Sequence, residues 1–369
     1  MKDKITYAIL FIVKEITAMA KKFYSLENIL ATKAQYRMLL GEKSNGKSYA
    51  VKSHLIDEAF RLEKKFIYMR RYREDCKVVD VNAYFSDAPV RDITKHMYER
   101  VIVDRETLYL ANWNEDDGKW DKGPDIGRVV YLSGYEHFAS QAFPDTYNIV
   151  YEEFITQRIY LNNEPALLQK MVSTILRDRE GAVYLVGNTI NRVCPYFTEW
   201  QLTHTIRQKP GTIEIYKFHR SDEEGNDIIT EVAVERCESS NSGTHMFFGK
   251  TAEFIVKGGW EVYDKPKLPE ENTTTLYELV LESQSFAFVL KLMVTEQGGM
   301  FIYVYPYTYK RTIKRIITDR FDTSPFVTKT FNPKIRAEVM MQELIKQNKI
   351  CYSDNLTGSD FEQVLKNRR

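Results

Sequence analysis

The stretch YRMLLGEKSNGKSYAVKSHLI, residues 36–56, decides the fold. Its first five residues form a short apolar run closed by Gly41, the length of a buried strand, and Val51, Leu55 and Ile56 then recur at helical spacing. Between them, GEKSNGKS at 41–48 matches the pattern G-x-x-x-x-G-K-[ST] in full. A turn between a strand and a helix wraps a polyphosphate with backbone N–H groups, and the helix N-terminus adds partial positive charge. The candidate nucleotide contacts are therefore Gly41, Glu42, Lys43, Ser44, Asn45, Gly46, Lys47, Ser48 and Tyr49. Lys47 is placed to reach the β and γ phosphates, and the Ser48 hydroxyl to ligate magnesium. ATP and Mg2+ are the expected ligands.

Reading outward, the helix expected over about 47–64 leads to FIYMR at 66–70, which completes a βαβ unit. Further strands are expected at 100–103, 107–110, 129–132, 148–151, 182–187 and 212–218. Helical stretches such as PALLQKMVSTILRDRE at 165–180 separate several of them, so the fold class is α/β with a largely parallel sheet covered on both faces. The Gly-, Pro- and acid-rich segment 111–125 reads as an exposed loop or hairpin insertion. Polar breaks at 219–228 and 264–275 place boundaries near 220 and 270, giving an expected first domain over 1–220, a linker module over 221–270 and a terminal domain over 271–369. Inside the linker module, 228–238 reads as helical. After 275 come three strands, LYELVLE, FAFVLKLMV and MFIYVYPYTY, the last two joined by the turn-like TEQGG. A helix over 332–348, with Asn332 as N-cap and Pro333 in the first turn, and another from about 359 to 367 complete an α+β ending.

Composition narrows the function classes. The 369 residues are 43% apolar, enough for at least one large core, and 52 basic against 51 acidic residues give a net charge of +1. No global excess announces a nucleic-acid or membrane partner, so any such binding is local. Cysteines at 76, 194, 237 and 351 form no CxxC pair and the six histidines show no metal-ligand spacing, which argues against zinc and disulfide scaffolds and fits a reducing cytosol. The opening MKDKITYAILFIVKEITAMA imitates a leader, but its apolar run spans only 5–13, too short for a bilayer. Its apolar residues repeat at helical spacing and read as an amphipathic docking helix. No membrane partner is expected.

A hydrolytic P-loop protein also needs a carboxylate on the metal side at the end of another strand, and a second one to activate water. TYNIVYEEF at 146–154 offers both, Glu152 for magnesium and Glu153 as general base. Glu152 is one methylene longer than the usual Asp. Asn188 ends the next apolar strand, where its amide would sense the γ-phosphate or orient the water. In LRDRE at 176–180, Arg177 or Arg179 is placed to act as an arginine finger on a neighbour's nucleotide. Arg70 and Arg71 follow the second strand, on the sheet edge of the phosphates, as contacts for nucleotide or DNA backbone. Across 300–336 eight bases, including Lys310, Arg311, Lys314 and Arg315, stand against two acids beside Tyr303, Tyr305, Tyr307 and Tyr309, a patch suited to phosphate-backbone contact.

Read together, GEKSNGKSYA, FIYMRRY, IVYEEF, ILRDRE and GNTINRVCPYF resemble, in order and spacing, the DNA-packaging ATPases (encapsidation proteins) of small short-tailed double-stranded DNA bacteriophages. The likeness covers roughly 36–200, with Ser44 standing where that family often has glycine. It implies an ASCE-type P-loop NTPase domain, a small linker and a C-terminal RNase H-like vestigial nuclease domain. It further implies Lys47 and Ser48 at the phosphates and metal, Glu153 as catalytic glutamate and Arg177 acting in trans. The implied activity is ATP-driven translocation of viral DNA by a homo-oligomeric ring, typically a pentamer, at the portal (connector) of the procapsid in the host cytoplasm. In some relatives a packaging RNA is a further partner. FAFVLKLMV at 286–294, taken as the first central strand of the terminal domain, carries no carboxylate, so no nuclease activity is expected. Two other readings start from different features. LSGYE at 132–136 loosely matches the LSGGQ signature of ABC-type ATPases, and Glu152 in place of Asp suits a nucleotide-gated assembly protein with little turnover.

Overall fold

The computed structural model of the protein describes residues 24–177, 179–221, 225–238, 260, 263–283, 286–308, 313–320 and 322–368. The expected N-terminal docking helix, and Lys310 and Arg311, lie outside them. Among the described residues, no helix is long and apolar enough to cross a membrane. The chain divides into two compact units, one comprising Met1–Thr156, Leu161–Thr189 and Leu202–Gly259, the other Gln157–Tyr160, Ile190–Gln201 and Trp260–Arg369.

The first unit opens with α1 (Glu27–Ala31), β1 (Tyr36–Gly41), α2 (Lys47–Leu62), β2 (Lys65–Arg70) and α3 (Val78–Phe85). It continues with β3 (Arg100–Asp104), β4 (Thr107–Asn114), β5 (Lys119–Tyr131), β6 (Thr146–Glu152), α4 (Glu164–Leu176), β7 (Ala182–Asn188), β8 (Ile213–Ser221) and β9 (Asp227–Arg236). Its nine-stranded sheet runs β3-β4-β5-β2-β6-β7-β1-β9-β8. The six strands from β5 to β9 are mutually parallel, while β3 and β4 at one edge and β8 at the other are antiparallel. The almost uninterrupted burial of β1 and β6 is what central strands covered on both faces require. Helix α2 turns Val51, Leu55 and Ile56 onto that sheet against Leu39, Phe66, Val150 and Val186.

Two local expectations change. Residues 228–238 do not form a helix. Asp227–Arg236 is strand β9, paired parallel to β1 and antiparallel to β8. The acids that make this stretch look like an amphipathic helix are accommodated in the sheet, where Tyr24 Oη donates to Glu235 Oε2 at 2.6 Å. The acidic insertion is the β4–β5 hairpin, and its register shifts between Tyr109 and Ala111, so that Gly123 and Pro124 bulge out of the ladder.

The second unit contains β10 (Thr273–Ser283), β11 (Phe286–Thr295), β12 (Met300–Pro306), β13 (Ile316–Thr318), β14 (Val327–Thr328), α5 (Arg336–Lys346), β15 (Ile350–Tyr352) and α6 (Asn355–Asn367). Its sheet order is β14-β13-β10-β11-β12-β15. The leading strand of the meander is therefore β10, not 286–294, and it carries Glu278 and Glu282. Helix α5 begins four residues later than expected, because Asn332 and Pro333 form a turn whose Asn332 N–H donates to the Glu338 carboxylate at 2.6 Å. Helix α6 begins earlier, because Asp354 accepts the Thr357 N–H at 2.8 Å as N-cap. Leu279, Leu290, Ile302, Met341, Leu344 and Phe361 form the shared core of this sheet and these two helices.

Candidate functional site

The loop between β1 and α2 is held in shape by its own backbone and by Asn45. Gly46 lies at φ 95°, a left-handed conformation that other residues adopt only with strain, and it caps α2. At Gly41 a Cβ would come 2.4 Å from Asn45 Nδ2, so the position admits no side chain without displacing the loop. Asn45 Oδ1 accepts the Lys47 N–H at 3.2 Å. The buried Lys47 ammonium donates to Asn188 Oδ1 at 2.7 Å, to the Glu42 carbonyl at 2.8 Å and to the Gly41 carbonyl at 3.3 Å. Burial pushes its pKa down to about 8.

The adjacent acids Glu152 and Glu153 diverge, because Glu152 ends β6 and Glu153, just beyond it, lies in the left-handed region at φ 57°. Glu152 turns inward, where Ser48 Oγ donates to Oε2 at 3.2 Å and Tyr84 Oη to Oε1 at 2.6 Å. Burial pushes the Glu152 carboxyl above its ordinary range, and those two hydroxyls oppose the shift. The Glu153 side chain is 61% exposed and pairs with Arg70 Nη2 at 2.6 Å.

These groups line one cleft of about 600 Å3, with Lys43 to Ser48, Tyr49, Arg70, Glu152, Glu153 and Asn188 on its walls. Lys52, Tyr84 and Asp87, which no sequence motif marks, line it too. Lys52 is ion-paired with Asp87, donates to the Tyr84 carbonyl at 2.6 Å and lies 4.7 Å from the centre of the Tyr84 ring. Helix α3 and the turn after it thus hold Tyr84 over Glu152, a tertiary arrangement with no local motif.

Other candidates stand apart from the cleft. Arg71 is corrected as a nucleotide or DNA contact: it is only 4% exposed, and its guanidinium is forked onto the buried Glu164. Arg179 donates to the Thr146, Phe143 and Ile175 carbonyls, which commits it to the fold. Arg177 caps α4, is exposed and does not line the cleft of its own chain. In the second unit Arg315 is bound to the buried Glu338 at 2.6 Å, so its guanidinium is engaged within the fold, while Lys314 is exposed.

Parallel strands, a phosphate-binding loop opening a helix and a carboxylate at the end of a second parallel strand define the class, a P-loop α/β protein. The sequence profile of the Podovirus DNA encapsidation protein (Gp16) family matches residues 19–218, and the chain belongs to that family. It is 27% identical over 191 residues to the DNA packaging protein of Bacillus phage phi29, covering 51% of this chain and 52% of that protein. Over 175 residues it is 29% identical to the DNA packaging protein of Bacillus phage B103, covering 46% and 49%. The chain thus spans about half the length of the curated relatives it matches. The solved bacteriophage Phi-29 viral genome packaging motor assembly superposes with a TM-score of 0.52 at 19% identity, over 94% of this chain and 99% of that one. That likeness shows the fold.

The buried Lys47 sets a pH dependence. In the free protein its proton is half lost at pH about 8, whereas a bound polyphosphate favours the charged form. If Lys47 holds the phosphates, affinity is expected to be level below that pH and to fall above it, with nucleotide held about tenfold more weakly at pH 9 than at pH 7. Titration with a fluorescent ATP analogue across this range checks it, and a flat profile contradicts the assignment of Lys47 to the phosphates.

Proposed function

We propose that the chain is an ATP-hydrolysing subunit of a ring that drives double-stranded viral DNA through the portal into a procapsid in the infected cell. The observation that carries this reading is the convergence of Lys47, Ser48, Glu152, Glu153 and Asn188 on one cleft, in a chain of the DNA encapsidation family. The strand order supports an ASCE-type assignment, since β7 intervenes between the loop strand β1 and the acidic strand β6.

The cleft fits a magnesium nucleotide. Asn45 Nδ2 and Arg70 Nε are buried on its wall without a hydrogen-bond partner, and the Ser48 and Glu152 oxygens form a hard donor pair. A magnesium ion bound there would neutralise charge developing on the phosphates. The residues divide the remaining work. Lys47 and the N-terminus of α2 hold the phosphates, and Asn188, already bonded to Lys47, orients the attacking water. Glu153 takes that water's proton, with Arg70 fixing its direction. Arg177, exposed and outside the lining of its own cleft, is supplied to the nucleotide of a neighbouring subunit.

The second unit we read as an RNase H-like domain without nuclease activity. Its order β12-β11-β10-β13-β14, an antiparallel meander extended by two parallel strands, supports that reading. A two-metal site needs free carboxylates at the ends of β10 and β13. Arg368 instead binds the Asp319 carboxylate at 2.9 Å and the Glu282 carbonyl at 2.8 Å, placing a guanidinium where cations would sit.

Mixing separates a shared site from a solitary one. Lys47→Ala and Arg177→Ala chains, each inactive, are expected to restore hydrolysis together, because a mixed ring contains interfaces with an intact loop facing an intact finger. Absence of rescue at any mixing ratio would remove the trans-acting role of Arg177.

A further inference from the structure

The first unit carries a second concavity, of about 740 Å3, at the root of the β4–β5 hairpin. Arg73, Lys77, Arg105 and Arg128 line it against Glu74 and Glu106. Arg128 is engaged by Glu106 and Gln141, whereas Arg73, Lys77 and Arg105 are exposed and form no ion pair among the described residues. Val78 and Val79, opening α3 beside the groove, are 46% and 69% exposed. The groove therefore offers three cations outside any ion pair, Arg73 lying over the Tyr131 ring at 6.0 Å, next to bare apolar surface.

The far end of the same hairpin is its electrostatic opposite. Seven residue steps along β4, roughly 24 Å at strand rise, the tip presents Glu115, Asp116, Asp117 and Asp121 against Lys119 alone. The tip is shaped in advance: Asn114 Oδ1 accepts the Asp116 and Asp117 N–H groups at 3.0 and 3.2 Å, and Asn114 Nδ2 donates to Asp121. Trp113, exposed beneath the acids, rests edge-on against Trp120 with ring centres 5.2 Å apart.

We propose that the hairpin tip of one copy of this chain seats in the basic groove of a second copy, with Trp113 against Val78 and Val79 and the tip acids facing Arg73, Lys77 and Arg105. A paired ladder cannot bend its own tip back to its root, so the complement each end needs lies on another copy. A tip-to-root contact is heterologous, the kind that closes into a ring when its rotation permits. Glu74, Glu106 and the two valines suit this partner better than a nucleic-acid backbone. The contact deepens the ring reading above, and rests on it, by naming the surface that joins neighbours. One such contact is small, so a pair of copies associates weakly and closure of several contacts supplies the rest.

The test replaces Trp113 in the full chain with a photo-crosslinking phenylalanine analogue, irradiates, and maps adducts by mass spectrometry. Intermolecular adducts are expected at 73–79 and 105–107. Asp116→Lys with Asp117→Lys, or Arg73→Glu with Arg105→Glu, is expected to lower their yield about tenfold through like-charge repulsion, and the combined reversal to restore it. All four positions are exposed, and unchanged thermal melting verifies that each variant folds. Adducts that map elsewhere, or that the combined reversal leaves depressed, overturn the proposal. So does a groove reversal that lowers DNA retention while leaving the adducts intact, which would make the groove a nucleic-acid surface. Cross-linking requires no turnover: its failure bears on this contact, whereas failed rescue between mixed subunits bears on the shared site.

Discussion

Glu153→Gln is expected to lower ATP turnover by about 10³-fold, within the range general-base removal produces, while nucleotide affinity stays within a few-fold of the parent. The expectation rests on the division of labour at the end of β6. Glu152 is buried between the Ser48 and Tyr84 hydroxyls, which suits the metal-side role proposed for it, and Glu153 is turned outward by its left-handed backbone, away from the loop proposed to hold phosphate. The substitution keeps the shape and a hydrogen-bond acceptor for Arg70 and removes the negative charge, and with it the basic lone pair. Paired measurements of equilibrium binding and steady-state hydrolysis check it. Retained hydrolysis would remove Glu153 from the chemistry, and lost binding would show that its charge shapes the cleft instead.

Arg71→Ala is expected to destabilise the protein by about 3–5 kcal/mol, the range for stranding one member of a buried ion pair. Arg71 is bonded to both Glu164 oxygens at 2.8 and 3.0 Å and to the Phe154 carbonyl at 2.6 Å. Glu164 is fully buried and also accepts from Tyr151 Oη and the Leu161 N–H, both at 2.9 Å. Removing the guanidinium takes both forked charge-assisted hydrogen bonds from a carboxylate buried in the core. Chemical denaturation of the single variant and of Arg71→Leu with Glu164→Leu measures this. The double substitution is expected to lose less than the single one, because the buried carboxylate is removed together with the guanidinium that compensates it. Equal losses would show that packing, not charge, governs the site.

Arg70 and Arg71 mark where sequence reading stops. Arg70 is the last residue of β2 and Arg71 the first beyond it, and one guanidinium reaches the cleft while the other reaches the core. Which does which depends on where Glu153 and Glu164 lie, and Glu164 is 93 residues further along. The stretch 228–238 fails for a related reason. Its acids suggest a helix, and Tyr24, more than 200 residues away in sequence, donates to Glu235 within the sheet. Tyr84, Lys52 and Asp87 had no legible signal, since a tyrosine on a short helix is ordinarily packing.

By itself the sequence determined the strand, loop and helix of 36–62, the two carboxylates closing β6 and Asn188 closing β7. Each is a local pattern whose meaning is set by backbone geometry within a few residues: glycine where the chain must turn tightly, apolar runs where a strand is covered on both faces, a polar residue where that run ends. Tertiary structure alone decided which strand lies beside which, which of two adjacent arginines is buried, and which hydroxyl orients Glu152. Those outcomes depend on desolvation and pairing between groups far apart in the chain, and the sign of such an interaction is fixed only once the partner is in place.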